Sequence, residues 1–209
     1  MPAWGWHIDQ YSVFFTFYGL ILGLAVTEIL SSFSAYGDAR PMRTIEVQSA
    51  LLACLTFLVI CATWIDAWTT RDDFSLSFAG MWAPIGAATT YYLAASAVLP
   101  KDKADYADME AYFLRRKKFV VWMLILAELF IKVTYVPIFS RQIEAAPAVF
   151  WLLSVPLNVA IFVAWFTLLI ARKRSVVIGA TLAQLVIFTI PYWSVGWISA
   201  AIRRSYGYA

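Results

Sequence analysis

The sequence predicts an all-α membrane protein, a single domain over residues 1–209 with six transmembrane helices. Three observations predict it. Of the 209 residues, 62% are hydrophobic and only 14% are charged, whereas soluble domains are about half apolar and a quarter charged. The apolar residues gather into six continuous runs, each long enough to cross about 30 Å of hydrocarbon. Lys and Arg fall almost entirely between those runs. Lipid admits only helices or closed barrels, and runs that do not alternate are helices.

The first run is about Tyr11 to Phe33. No Lys or Arg precedes it and it is too long for a cleaved signal, so it reads as a retained helix. Ser12, Thr16, Gly19, Gly23 and Thr27 recur along it at helical spacing, and Gly19 and Gly23 form a small-xxx-small pair suited to close helix packing. Glu28 lies beside this stripe. The second run is about Ile45 to Trp68, with Glu46 at its start and Trp64, Asp66 and Trp68 at its end. Glu28 and Glu46 are read as snorkelling to headgroup water, and Asp66 as lying near water within an aromatic belt. Cys54 and Cys61 are seven residues apart on this helix, roughly 10 Å along its axis. That is beyond the reach of a disulfide, and both read as small packed hydrophobes.

The third run is about Phe74 to Leu99, with Pro84, a small patch at Gly86 to Thr90, and Tyr91-Tyr92. Between it and the fourth run, acidic residues from Asp102 to Glu110 precede Arg115 to Lys118, and Tyr106, Met109 and Phe113 repeat at helical spacing. This predicts one short amphipathic helix on the cytoplasmic surface, its aromatic face toward lipid. The fourth run is about Phe119 to Phe139, the fifth about Pro147 to Ala171 and the sixth about Val176 to Ile202. Pro84, Pro156 and Pro191 each remove a backbone donor and bend their helices.

Orientation follows from the loop cations. Arg40, Arg43, Lys101, Lys103, Arg115, Arg116, Lys117, Lys118, Arg172, Lys173 and Arg174 share one side; Arg71, Arg141, Arg203 and Arg204 share the other. This bias puts the first set in the cytoplasm and both termini outside it.

Ionisable groups at bilayer depth are costly and mark function by default. Glu128 and Lys132 lie in the middle of the fourth run, four residues apart on one helix face. Counting about 1.5 Å per residue puts Glu128, Asn158 and Gln184 in one central tier, with Lys132 one turn farther out. One reading is a polar pathway for an ion, a proton or a small solute, with Glu128 titrating against Lys132. The other is interhelical glue. Both stay open here.

Other classes fare worse. The net charge is +3, but no basic stripe with interleaved aromatics marks a nucleic-acid partner. His7 is the one histidine, there is no Cys-x-x-Cys, and the H-E-x-x-H and G-x-S-x-G patterns are absent. No cofactor, metal site or catalytic residue is therefore expected. The expected partners are the bilayer and either further copies or another membrane protein. An accessory or assembly subunit, binding through helix 1 and the terminal aromatics Trp4, Trp6, Tyr206 and Tyr208, is the alternative to passage. A lipid-modifying enzyme comes third.

Tyr91-Tyr92-Leu93-Ala94-Ala95-Ser96, then Pro100, an acidic stretch, and Tyr112 before Arg115-Arg116 resemble uncharacterised bacterial polytopic inner-membrane proteins of about this size. The resemblance covers helix 3, the loop and the start of helix 4. It implies a bacterial inner membrane and no activity. The six-helix size is similar to that of small bacterial potassium channels related to lysosomal ones. Their Phe-Ser-Asp signature in helix 1 is missing, since Phe33-Ser34 is followed by Ala35, and that function is not carried over.

Overall fold

The computed structural model describes residues 10–38, 46–69, 78–101, 105–145 and 147–205, and all regular structure among them is helical. His7, the terminal aromatics Trp4, Trp6, Tyr206 and Tyr208, and the loop cations Arg40, Arg43, Arg71 and Lys103 lie outside them. The helices are α1 (Gln10–Asp38), α2 (Val47–Thr69), α3 (Phe78–Val98), α4 (Met109–Ala145), the single turn α5 (Pro147–Val149), α6 (Val155–Ile170) and α7 (Arg174–Ser205). A 3-10 turn, Asp105–Asp108, leads into α4, and a π-helical turn, Phe150–Ser154, joins α5 to α6.

Four stretches among the described residues are long and apolar enough to cross a membrane: Tyr11–Ala35, Val47–Thr69, Met109–Val136 and Phe150–Ile170. The expectation of six therefore finds four by length and composition. α3 has the length, 21 residues, but its apolar character is diluted by Thr89, Thr90, Tyr91 and Tyr92. The reason is its position. α3 packs most extensively against α4, then against α1 and α2. Ala87, Ala88, Ala94 and Ala95 are all fully buried. A helix surrounded by protein needs small residues for close approach more than it needs lipophilicity.

The separate amphipathic surface helix is not found. Beyond the 3-10 turn, α4 runs unbroken from Met109 through the basic cluster into the apolar run. Met109, Tyr112, Phe113, Lys117, Val120, Val121, Leu124, Ile125 and Glu128 are all buried. They recur at three and four residues, so one face continues across Arg115–Lys118. The aromatic face therefore meets protein, not lipid: the Tyr112 hydroxyl donates to the carbonyls of Ala97 and Leu99 at 3.0 and 3.1 Å.

α1 buries the face opposite the expected one. Tyr11, Phe14, Tyr18, Leu22, Ala25 and Ile29 form its core stripe. Thr16 and Thr27 are exposed, and each hydroxyl bonds back to its own helix, to the carbonyls of Ser12 and Gly23. Aromatic and branched side chains bury far more area than hydroxyls that their own helix already satisfies. Gly19 does pack, since a Cβ there would lie 3.2 Å from Trp64 Nε1. Gly23 meets nothing within 4 Å.

One end of the bundle is tied by polar contacts between helices. Lys101, after α3, pairs with Glu28 of α1. Glu46 accepts the Ser49 amide at 3.0 Å, capping α2, and lies 3.6 Å from Arg174 at the start of α7. Lys117 of α4 donates to the Ala171 carbonyl at the end of α6. Glu28 and Glu46 thus have protein partners beyond headgroup water. At α2's other end, Trp64 and Trp68 pack tilted against Phe15, each with ring centroids 5.4 Å away. Both cysteines are free. Cys54 is exposed on the α2 surface and not packed, and Cys61 is half-buried.

Candidate functional site: a polar cluster inside α1–α4

Each polar residue of the cluster sits on the buried stripe of its own helix. Glu128 continues the stripe of Val121, Leu124 and Ile125 on α4. Tyr91 continues Ala87 and Ala88 on α3. Thr63 continues Val59 and Ile60 on α2, and Tyr18 continues Phe14 on α1. All are buried: Glu128 is 4% exposed, Tyr18 1% and Tyr91 0%. The helical period that packs the apolar residues therefore carries these polar ones into the interior.

The Glu128 carboxylate lies 3.7 Å from the Lys132 ammonium, which keeps 29% of its side-chain surface exposed. The expected pair therefore forms, with its cation facing out and its anion facing in. Thr63 donates to the Tyr91 hydroxyl at 3.1 Å, which leaves the Tyr91 proton for an acceptor. Glu128 and Asp66 are the two carboxylates within electrostatic range of that hydroxyl, and Tyr18 is also in range. Asp66 also acts on Glu128 and on Tyr18. It is half-buried near the end of α2. Lys132, Glu128, Asp66, Tyr91, Thr63 and Tyr18 are thus linked pairwise across four helices.

Asn158 and Gln184 belong elsewhere. The Asn158 amide donates to the Ser154 carbonyl at 2.7 Å, and the Gln184 amide to the Ile161 carbonyl at 2.9 Å. Both serve the α6–α7 side, and no hydrogen bond among the described residues joins either to Glu128. Their side-chain oxygens are buried without partners, as is Trp165 Nε1. Gln184 thus clasps α7 to α6.

Tyr18, Thr63 and Tyr91 are the members that sequence reasoning passes over. For Tyr18 the signal is its place in the Tyr11, Phe14, Tyr18, Leu22 series. For Tyr91 it is a phenol set among alanines at the same spacing. No group of three His, Cys, Asp or Glu side chains among the described residues could hold a metal ion. The chain matches no protein-family model, no curated protein and no solved structure.

Proposed function

We propose that the chain is a six-span protein of the bacterial inner membrane, both termini outside the cytoplasm, that passes a proton or small ion through the cluster around Glu128. One observation carries the reading. A carboxylate 4% exposed in the middle of a membrane-length helix interacts electrostatically with a second carboxylate, Asp66 on α2, and with the buried Tyr91 phenol on α3, which is itself in range of the buried Tyr18 on α1. Lone buried charges are costly in lipid, and packing alone has no use for so many. Phenols and carboxylates in series can hand on a proton by small rotations of O–H bonds, with Lys132 balancing the charge when Glu128 is ionised. The contacts at one end support alternate crossing. They bring together the C-terminal ends of α1, α3 and α6 and the N-terminal ends of α2, α4 and α7.

The test is flux. Protein in liposomes carrying an internal pH dye should dissipate an imposed proton gradient, and Glu128→Gln and Tyr91→Phe should each slow it at least tenfold. Potassium and sodium gradients extend the assay to other ions. A wild-type rate no greater than that of Glu128→Gln, under every ion and both gradient directions, removes the passage reading.

The open face of α1 favours a second reading, an accessory subunit. Phe17, Leu20 and Leu24 are exposed beside Gly23, where a partner helix could approach closely. A stoichiometric foreign subunit retained through purification supports this reading, and a homo-oligomer free of other chains supports passage.

A further inference from the structure

A groove between the first turns of α4 and the α6–α7 turn lies apart from the Glu128 cluster, and passage through that cluster makes no use of it. It encloses about 850 Å³, within the roughly 300–1,000 Å³ typical of small-molecule sites. Its lining divides into two chemistries. Lys117, Lys118 and Arg172 are cationic, and Leu114, Trp122 and Ile170 are apolar. Trp122 lies one turn beyond Lys118 on α4, and Ile170 ends α6 just before Arg172, so the apolar part extends from the cations toward the hydrocarbon. Ile170 is 75% exposed and Trp122 48%, which leaves an open apolar wall beside the charges.

The cations are uncompensated. No carboxylate lines the groove. Lys101, Arg115 and Arg174 at the same end each pair with a carboxylate, those of Glu28, Asp105 and Glu46. Among the described residues Lys117, Lys118 and Arg172 make no ion pair. Lys117 is 4% exposed, and the charges acting on it are Lys118 and Arg172, both positive. Its ammonium donates to the Ala171 carbonyl and so covers the negative end of α6. An anion entering the groove therefore meets three positive charges.

We propose that this groove holds one anionic phospholipid. Its phosphate sits at Lys118 and Arg172 with the Lys117 charge behind them, and an acyl chain lies along Trp122 and Ile170. Three cations with no counter-ion favour a headgroup of net negative charge over a zwitterionic one, whose own ammonium the groove would repel.

Native mass spectrometry tests this on the full chain released from detergent after incubation with equal amounts of phosphatidylglycerol and phosphatidylcholine of matched chains. The wild type should retain one phosphatidylglycerol per chain in preference. Lys118→Gln with Arg172→Gln should cut that preference roughly thirtyfold, two cations each contributing about fivefold in interfacial attraction. Lys118→Arg with Arg172→Lys, which keeps both charges, should preserve it. Arg115→Gln, a cation outside the groove, should leave it unchanged. Trp122→Ala should lower retention of both lipids. Equal retention of the two lipids by the wild type overturns the proposal. So does a loss in Arg115→Gln as large as in the groove variant, or displacement of the lipid by millimolar inorganic phosphate, which would identify a free-anion site.

Discussion

Substituting Glu128 and Lys132 one at a time should give unequal losses, and the structure sets the order. Unit charges 3.7 Å apart attract by about 4.5 kcal/mol at an effective dielectric near 20. The net contribution is smaller, because both ions give up hydration to meet. Lys132→Met leaves the Glu128 carboxylate in an interior where the remaining charge that acts on it is a second carboxylate, Asp66. Orphaning a buried ion typically costs about 3 kcal/mol or more. Glu128→Leu leaves a lysine already 29% exposed on a long flexible stem, free to turn outward, and about 1 kcal/mol is the scale of such partly solvated pairs. Removing both should cost no more than Glu128→Leu alone, a coupling of about 3 kcal/mol or more. The assay is unfolding by titrated dodecyl sulfate in mild-detergent micelles, followed by helical circular dichroism for the wild type, both singles and the double. Additive losses, or a larger loss for Glu128→Leu than for Lys132→Met, would refute the inward anion and outward cation.

Three further outcomes follow from the packing. Gly86→Ala should destabilise by about 1–2 kcal/mol in the same assay. A Cβ there would lie 2.9 Å from the Phe130 ring, and overpacking outweighs the roughly 0.5–1 kcal/mol that alanine gains over glycine in a helix. Phe130→Leu should relieve that loss, whereas Gly23→Ala, with nothing within 4 Å, should be neutral or stabilising. Glu46→Ala should cost about 1 kcal/mol through the lost α2 cap, while Arg174→Ala, whose side chain is 61% exposed, should be nearly silent. Finally, in a chain lacking Cys54 and Cys61, cysteines at Glu110 and Ser205 should react with an impermeant maleimide from opposite membrane faces. Reaction from the same face defeats the six-span topology.

The sequence makes some of this site readable and hides the rest for a physical reason. The Glu128–Lys132 spacing is local, fixed by the pitch of one helix, and the pair is found as expected. Which residues surround Glu128 depends on which helices are neighbours, and depth along an axis says nothing of that. Asn158 and Gln184 share Glu128's expected depth, yet they bond to backbone of the π turn and of α6. Thr63 and Tyr91 look unremarkable alone and meet only because α2 and α3 pack face to face. In α1, small residues and aromatics both recur at helical period. The choice between the two faces turned on buried area, and the hydroxyls had already found acceptors within their own helix. In α4, the charges of Arg115–Lys118 read as a break between surface and span. The three-and-four spacing of Tyr112, Phe113, Val120 and Val121 continues across them, because the arginines fall off that face.

The π turn at Phe150–Ser154 bears on how the sixth helix was assembled. Its bonds reach one residue farther than those of an α-helix, so one residue is added without breaking the helix, and Ser154 stays in the right-handed helical region at φ −68° and ψ −43°. A single residue amounts to about 100° of rotation. The azimuth of Pro147–Val149 is therefore offset from that of Asn158, Ile161 and Trp165. Deleting one residue within the turn would restore the ordinary ladder and rotate everything upstream by that angle, while the α6 contacts with Gln184 stay in phase. Pro156 has no N–H to offer the Leu152 carbonyl, which fixes the offset just ahead of α6. The turn thus works as a phase shifter: upstream chain length can change by one residue, and the register of the α6–α7 clasp is insulated from it.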